Sequence, residues 1–572
     1  MSDSPDAPSR TAALTRWTPG LVTLRHYDRG WLRPDLVAGI VLAAILVPQG
    51  MAYAELARLP PVTGLYTTIA CLVAYAVFGP SKVLVLGPDS SVSPLILASI
   101  TPLIVAGDPS SAIVLAGMLA VLVGLIEVGL GIAKLGFVAD LLSSEVRVGY
   151  LNGLAITIIV GQLPKLFGFS TDADGFVDEV RQFVAGLDER NTATLLMGLG
   201  VLAVLLLMPR LTTRVPAVLV AVVGATAVSA IFDLSAEGVA TVGVLPQGFP
   251  TPTIPWTNAS DAIALMVGAV GITLVSLTDT IATSSSFAAR RGDEVDADAE
   301  MVGVGASNVA AGVFGGFAVS VSGSRTAVAD QSGARSQLTG LVGAGIVAVL
   351  LLVLNGLLAD LPQAALAAVV IAAALSLMDL PALRRFARLR PSSLVVSLVA
   401  SAGVIFIGVL QGIVLAIVLA ILLFFRRSWW PHGAVLGEVS ELGGWHSLDA
   451  YPNATVVDGI VVFRWEAPLF FANVGQFRDQ VRSLVRQSSP RFVVLQCEAI
   501  TDIDVTAAEV LKELDEELNA KGVHLAFVEL RDRLRDLVVR YDLQSTLQEE
   551  HFFPSIKVAV RSLTDERDGT AG

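Results

Sequence analysis

The sequence is poor in charged residues, cysteine and histidine. Only 16% of its 572 residues are charged, whereas about a quarter is usual in a soluble protein. Two cysteines, Cys71 and Cys497, and five histidines are too few and too scattered for a disulfide framework or a zinc site. The net charge of −13 gives no support to nucleic-acid binding. We expect no cofactor and no nucleic-acid partner.

Long apolar runs dominate most of the chain. From about residue 36 to residue 428, runs of roughly 17–24 residues follow one another, and each can cross about 30 Å of hydrocarbon as a helix. We predict fourteen membrane segments, so the lipid bilayer is an expected partner. The residues after 428 are mixed and charged, which is typical of a small soluble α/β domain. The predicted domains are an N-terminal segment (1–35), a transmembrane domain (36–428), a linker (429–456), the soluble domain (457–563) and a tail (564–572).

Basic residues in the loops predict the orientation in the membrane. With fourteen segments, the basic loops and both termini face the cytoplasm. We therefore predict a multi-pass protein of the cell (inner) membrane. We expect no cleavable signal peptide in residues 1–35. The basic positions are Lys82, Lys134, Arg210, Arg214, Arg290, Arg291, Arg384, Arg385, Arg388, Arg390, Arg426 and Arg427.

Two stretches of the chain match at a constant offset. Residues 77–90 read VFGPSKVLVLGPDS and residues 313–326 read VFGGFAVSVSGSRT. An odd number of membrane segments, seven, separates them, which predicts an inverted repeat of the kind that secondary transporters use to build a midplane site. In each copy a V-x-V alternation predicts a short strand, and the following residues favour a helix start. We therefore predict half-helices near 89–104 and 324–336, with their N-termini facing each other.

The facing N-termini predict an anion site, because each offers free N–H groups and a partial positive charge. Arg325 adds a full charge at a depth where charge usually marks a substrate path. Pairing with a structural carboxylate is the alternative role for this arginine. On an earlier helix Gln49 and Tyr53 lie four residues apart on one face, although interhelical hydrogen bonding would also explain Tyr53. The predicted anion-binding residues are Gln49, Tyr53, Asp89, Ser90, Ser322, Gly323, Ser324 and Arg325.

Several motifs resemble the sulfate permease (SulP) family of anion transporters, which includes the vertebrate solute-carrier sulfate, chloride and bicarbonate exchangers. They are DLVAGIVLAAILVPQGMAYAELARLPPVTGLY (35–66), LGP (86–88), VGYLNGLAITIIVGQLPKLFG (148–168) and GSRTAVADQSGAR (323–335). The resemblance implies seven-plus-seven inverted repeats, a core and a gate domain, alternating access and a homodimer.

The C-terminal segments 459–481 and 491–530 resemble the STAS domain. In related bacterial anti-sigma antagonists a phosphorylated serine follows the aspartate that corresponds to Asp504. Here Val505 follows, with Thr506 next. We therefore expect a packing role, or contact with a cytoplasmic partner, rather than control by phosphorylation.

Two carboxylates are candidates for binding a coupling ion. Asp279 has Thr283 one turn later. The family resemblance implies Na⁺ at such a pair in some bicarbonate transporters, whereas a carboxyl group can equally accept H⁺. Asp89 is the second candidate, and it stands where the family commonly has an uncharged residue. Asp89 can pair with Arg325 or cap the half-helix, and we expect a structural role for Glu127.

The function predicted is symport of a small oxyanion, sulfate first, with H⁺. Bicarbonate or dicarboxylate transport coupled to Na⁺, or anion exchange, is the alternative. A nucleobase permease is disfavoured by Arg325 and by the STAS domain. The sequence has no HExxH or GxSxG motif, so we expect no enzyme. A signalling receptor that acts through the STAS domain is the remaining class.

Overall fold

A computed structural model describes most of the chain. It covers residues 18–105, 109–137, 143–173, 175–212, 216–353, 355–543 and 549–569. Residues 1–17 of the predicted N-terminal segment, Arg214 and residues 570–572 of the predicted tail lie outside the described residues. The chain forms two compact units, residues 1–420 and 421–572, and each is considered by itself.

The first half of the membrane unit contains nine helices and one short strand within the described residues. They are α1 (Pro19–Arg25), α2 (Leu32–Leu56), α3 (Pro61–Phe78), β1 (Leu86–Gly87), α4 (Ser93–Ile100), α5 (Pro109–Ile132), α6 (Ser144–Phe167), α7 (Phe176–Ala185), α8 (Thr192–Leu211) and α9 (Ala217–Phe232).

The second half repeats this order. Its elements are α10 (Ala259–Arg291), α11 (Ala297–Val313), β2 (Ser320–Val321), α12 (Gly323–Gln331), α13 (Leu338–Val353), α14 (Gln363–Leu377), α15 (Leu380–Leu389), α16 (Pro391–Ala402), which continues as a π-helix (Gly403–Ile407), and α17 (Val409–Trp429). Helices α1, α7 and α15 lie outside the predicted membrane segments: α1 precedes α2, whereas α7 and α15 each connect two longer helices. The other fourteen correspond to the fourteen predicted membrane segments, so the predicted fold class is confirmed.

Caps in the sequence set several helix boundaries. The Oδ1 atom of Asn258 accepts a hydrogen bond from the N–H of Asp261 at 2.8 Å at the start of α10. Asp296 accepts from the N–H of Ala299 at 3.0 Å at the start of α11. Gly292, with φ +71°, ends α10 in the left-handed conformation that glycine adopts readily.

The membrane helices form a core and a gate group. In the core, α2, α3, α4 and α5 pack with α10, α11, α12 and α13. In the gate, α6, α8 and α9 pack with α14 and α16. One close core contact joins α5 to α11, where a Cβ atom on Gly124 would lie 2.4 Å from the carbonyl oxygen of Gly305.

The two repeats meet in a small antiparallel sheet. Leu86 pairs with Val321 and Gly87 pairs with Ser320, and the N–H of Ser322 donates to the Val85 carbonyl at 3.1 Å. The matched stretches therefore face each other, as the inverted repeat predicts.

The first half-helix starts later than predicted. Residues 89–92 form a turn rather than helix, and α4 begins at Ser93. The N–H of Ser93 donates to the Asp89 carbonyl at 3.0 Å, and Pro94 occupies a first-turn position, where proline is well tolerated. The carbonyl of Asp89 thus accepts the hydrogen bond of the first helical N–H, and Asp89 itself lies in the turn that precedes α4.

The second unit is an α/β domain with one six-stranded sheet in the order β4-β3-β5-β6-β7-β8. Strands β5 to β8 pair in parallel, whereas β3 pairs antiparallel with both β4 and β5. Its elements are β3 (Gly433–Glu438), β4 (Trp445–Ser447), β5 (Ile460–Trp465), α18 (Val474–Ser488), β6 (Phe492–Gln496), α19 (Val505–Asn519), β7 (His524–Val528), α20 (Asp532–Arg540), β8 (Phe552–Phe553) and α21 (Ile556–Gly569).

Apolar clusters cover the sheet of this domain, one with Phe463, Phe477 and Leu511 and another with Val462, Val494 and Leu563. Asp504 caps α19, because its Oδ1 accepts from the N–H of Ala507 at 2.7 Å. The segment predicted as a linker, 429–456, needs correction. It contains β3 and β4, since the backbone of β3 pairs with β5 and leaves no separate linker there.

Candidate functional site

One cavity of about 610 Å³ lies between the core and the gate helices. The turn after β1, the start of α12, and helices α2 and α10 line it from the core. Helices α8, α9 and α14 line it from the gate. All ten residues predicted for anion binding and ion coupling line this cavity: Gln49, Tyr53, Asp89, Ser90, Asp279, Thr283, Ser322, Gly323, Ser324 and Arg325.

Arg325 carries the positive charge of the cavity and is only 1% exposed. Its Nη1 donates to the Pro88 carbonyl at 2.7 Å, and its Nη2 lies 3.7 Å from Oδ2 of Asp89. Among the described residues, neither Nε nor Nη2 has a hydrogen-bond acceptor. A buried donor without a partner is costly, so an oxyanion in the cavity could complete the arginine's hydrogen bonds.

The start of α12 also faces the cavity and offers hydrogen-bond donors to it. Ser322 caps the helix, with its Oγ 3.5 Å from the N–H of Arg325. The next two N–H groups, of Gly323 and Ser324, lie in the first turn, where intrahelical acceptors do not exist. Both residues are exposed and line the cavity. The positive end of the helix dipole therefore points to the space beside Arg325.

Polar groups of α2 and of the turn before α4 complete the wall. Gln49 and Tyr53 lie one turn apart on α2. The Oε1 atom of Gln49 is buried with no hydrogen-bond donor in the part of the chain that the structure describes. Tyr53 and Ser90 are each 4% exposed. These groups can exchange hydrogen bonds with a ligand held at Arg325.

The two carboxylates are joined through a residue that the sequence analysis did not single out. The Oγ atom of Ser91 lies 2.8 Å from Oδ1 of Asp89 and 3.3 Å from Oδ2 of Asp279. Thr283 follows Asp279 by one turn on α10 and also lines the cavity. The only sequence signal for Ser91 was its position beside Ser90, because side-chain directions in a turn do not follow a helical period. The predicted pairing of Asp89 with Arg325 is present at 3.7 Å.

Glu127 lies outside the cavity wall. It is fully buried, and its Oε2 accepts from the side-chain amide of Asn308 at 2.8 Å. Asn308 in turn accepts from the N–H of Val319 at 2.7 Å. Glu127 therefore connects α5 and α11 to the segment that leads into β2.

The described residues offer little support for metal binding or for disulfide formation. They contain no group of three or more histidine, cysteine, aspartate or glutamate side chains placed to hold a metal ion. Both cysteines are buried and free.

The fold and this cavity define a polytopic membrane protein in which two inverted repeats meet at a cavity beside their half-helices, with a separate α/β domain at its C-terminal end. The model of the sulfate permease family matches residues 32–400, and the STAS domain model matches residues 451–559. The chain belongs to the sulfate permease family and carries a STAS domain.

The chain also resembles individual proteins over most of its length. A probable sulfate transporter of Mycobacterium tuberculosis is 42% identical over 557 residues, covering 97% of this chain and 99% of that protein. The chloroplastic sulfate transporter 4.1 of Arabidopsis thaliana is 29% identical, covering 93% and 80%. The structure of murine solute carrier 26 family member A9 superposes with a TM-score of 0.88 at 24% identity, covering 98% of this chain and 96% of the murine one. This last likeness concerns the fold.

Proposed function

We propose that the protein is a secondary active transporter of a small inorganic oxyanion, with sulfate as its main substrate. The observation that carries the proposal is the buried guanidinium group of Arg325, which lines the cavity at the N-terminus of a half-helix and whose Nε and Nη2 have no hydrogen-bond acceptor among the described residues. Tetrahedral oxyanions accept several hydrogen bonds at once and suit such a site. The naming of a 42% identical relative as a probable sulfate transporter supports sulfate.

Transport proceeds by alternating access. The cavity has one wall from the core group and one from the gate group, so a movement of one group against the other would change the side from which the anion enters. We infer that both termini are cytoplasmic and that the protein forms a homodimer. The STAS domain then supports assembly or contacts a cytoplasmic partner.

The coupling ion is H⁺ in this proposal. Asp279 is the main acceptor and Asp89 the second one, since both carboxylates contact Ser91. A second candidate function is Na⁺-coupled transport of bicarbonate or a dicarboxylate, or anion exchange. The side-by-side position of Asp279 and Thr283 in the cavity favours it, because carboxylate and hydroxyl oxygens suit a hard cation. Nucleobase transport fits less well, because a neutral base offers no negative charge to the buried guanidinium group of Arg325.

Uptake into proteoliposomes tests the proposal. Purified protein is reconstituted, and uptake of radiolabelled sulfate is measured with an imposed proton gradient, alone and with unlabelled bicarbonate or succinate as competitors. We expect saturable sulfate uptake that bicarbonate and succinate inhibit weakly. Uptake of bicarbonate or succinate without sulfate uptake would overturn the choice of substrate. Anion exchange would appear as uptake that needs an internal anion.

A further inference from the structure

Helix α15 joins the consecutive membrane helices α14 and α16 and is strongly basic. It contains Arg384, Arg385 and Arg388, and Arg390 follows it directly. No acidic residue occurs between 380 and 390, and all four arginines are exposed. A helix of ten residues with this charge is too short and too polar to cross hydrocarbon.

One side of α15 is attached to the membrane unit. Ala382 and Phe386 are buried and pack near Val148 of α6. Arg384 and Arg388 lie one turn apart, on the side of the helix opposite to Ala382 and Phe386. The helix therefore lies on the surface of the unit and keeps its basic side away from the protein.

The arginines of the α15 segment differ from other cations of the same unit because, among the described residues, they have no carboxylate partner. Lys82 pairs with Asp293 at 2.8 Å, and Arg291 pairs with Asp330 at 2.5 Å. In contrast, no carboxylate in the described part of the chain lies within 4.0 Å of the four arginines of the α15 segment. Asp379, the nearest acid in the sequence, caps the helix instead by accepting from the N–H of Ala382 at 2.9 Å.

We propose that α15 and Arg390 form an interfacial binding site for anionic phospholipid headgroups of the surrounding bilayer. A basic amphipathic helix between two membrane segments lies at the depth of the headgroups. Guanidinium groups match phosphate in geometry and charge. Leu380 and Leu389, 45% and 78% exposed, are available to the acyl boundary. In a chain of net charge −13, this segment supplies local attraction to an anionic leaflet.

The arrangement favours a layer of lipids over a single free anion. Successive residues of a helix point about 100° apart, so Arg385 leaves the helix in a direction different from that shared by Arg384 and Arg388, and the three side chains are spread over two sides. They do not converge on one small ion. Several headgroups spread along a membrane surface can contact all of them.

Lipid retention by the full-length protein tests this site independently of transport. Protein purified in detergent is incubated with equal amounts of phosphatidylglycerol and phosphatidylcholine, and bound lipids are counted by native mass spectrometry. We expect the wild type to prefer phosphatidylglycerol, and R384Q/R385Q/R388Q/R390Q to lose that preference by about tenfold or more. The lysine variant R384K/R385K/R388K/R390K should keep most of it, which also shows that substitution at these positions leaves the protein folded.

A matched control removes the same charge elsewhere. The control variant is R531Q/R533Q/R535Q/R540Q, in and beside α20, where the arginines are interspersed with Asp532 and Asp536. Replacing these four arginines should not alter the retention of phosphatidylglycerol. The proposal is overturned if the α15 glutamine variant retains phosphatidylglycerol as the wild type does, or if the control variant loses it equally. Complete displacement of the lipid by inorganic phosphate at the same concentration would also overturn it, because it would indicate a site for a free anion.

Discussion

Gly87 lies directly against the guanidinium group of Arg325. A Cβ atom added to Gly87 would lie 3.1 Å from Nη1 and 3.4 Å from Cζ of the arginine. Gly87 belongs to β1 of the first repeat and Arg325 to α12 of the second. The pairing of β1 with β2 thus provides the surface on which the buried cation rests, and the Pro88 carbonyl fixes one of its nitrogens at 2.7 Å. One repeat orients the charge that the other repeat carries.

This contact predicts that Gly87→Ala weakens the affinity for sulfate. The added methyl group forces the guanidinium group to shift by a few tenths of an ångström, which disturbs its bond to the Pro88 carbonyl and its position in the cavity wall. We expect roughly tenfold weaker sulfate affinity, about the value of one charge-assisted hydrogen bond. The measurement is the KM for uptake in proteoliposomes. Gly129→Ala is the control, because a Cβ atom there meets no atom within 4 Å; equal KM values for both variants would contradict the prediction.

Removing the charge itself should have a larger effect. Arg325→Ala deletes the only buried cation that lines the cavity among the described residues, while the helix cap at Ser322 remains. We expect sulfate affinity to fall about 10- to 100-fold, with normal membrane insertion and a normal elution profile. Isothermal titration with sulfate checks this. Arg290→Ala, an exposed arginine on α10, serves as the control. Unchanged sulfate affinity in Arg325→Ala would assign Arg325 a structural role.

The residues that line the cavity around Arg325 could be predicted from the sequence because the repeat aligns Gly87 with Gly323 and puts Arg325 at a helix start. The turn at Asp89 could not be predicted, since the pattern of Ser and Asp after a strand fits a capped helix as well as a turn. Ser91 was missed for the same reason: its contact with Asp279 joins residues 188 positions apart. The strands β3 and β4 were missed because their short, mixed sequences resemble a linker until β5 pairs with them.

Truncation after residue 428 should leave anion binding intact. Every described residue that lines the cavity lies at or before Leu377, so we expect the STAS domain to supply no ligand contact. We expect the truncated protein to bind sulfate with unchanged affinity, but to transport more slowly or to assemble less well. Titration of binding in detergent and uptake in proteoliposomes separate the two effects. Loss of binding by a stable, monodisperse truncation would show that the STAS domain shapes the site.

The STAS domain contains an ion pair whose contribution to stability depends on pH. Glu517 accepts hydrogen bonds from Arg482 and Lys521. These bonds, mainly the one from Arg482, lower the pKa of Glu517 to about 2. A carboxyl pKa that is lower in the folded state stabilises the domain above the ordinary value near 4.5, and this contribution disappears as the pH falls toward 2.

Glu517→Gln should therefore lower the stability of the domain at pH 7 by at most about 1 kcal/mol, because solvent screens a pair at the surface. At pH 3 the difference from the wild type should be smaller. Urea unfolding of residues 429–572 at the two pH values measures it. Glu516→Gln, an exposed neighbour, is the control. A deficit for Glu517→Gln that stays the same at both pH values would rule out the ion pair as its cause.

The last prediction concerns coupling. The cavity presents one cation, Arg325, to two carboxylates, Asp89 and Asp279. With both carboxylates ionised, the cavity is net negative before any anion arrives, and like charges at short range oppose binding. An inside-negative potential adds about 2.3 kcal/mol per charge per 100 mV to the import of a dianion. Protons that bind with the anion relieve both costs.

We therefore expect sulfate uptake to rise as the external pH falls from about 8 to about 5.5, a range in which a buried carboxyl group can titrate. Asp279→Asn should make uptake independent of pH, because an amide cannot take up the proton. Asp261→Asn, in the first turn of the same helix, should behave as the wild type, and Thr283→Ala should keep the pH dependence. If uptake instead requires Na⁺, does not change over this pH range and fails in Thr283→Ala, then Asp279 and Thr283 bind sodium and the proton assignment is wrong.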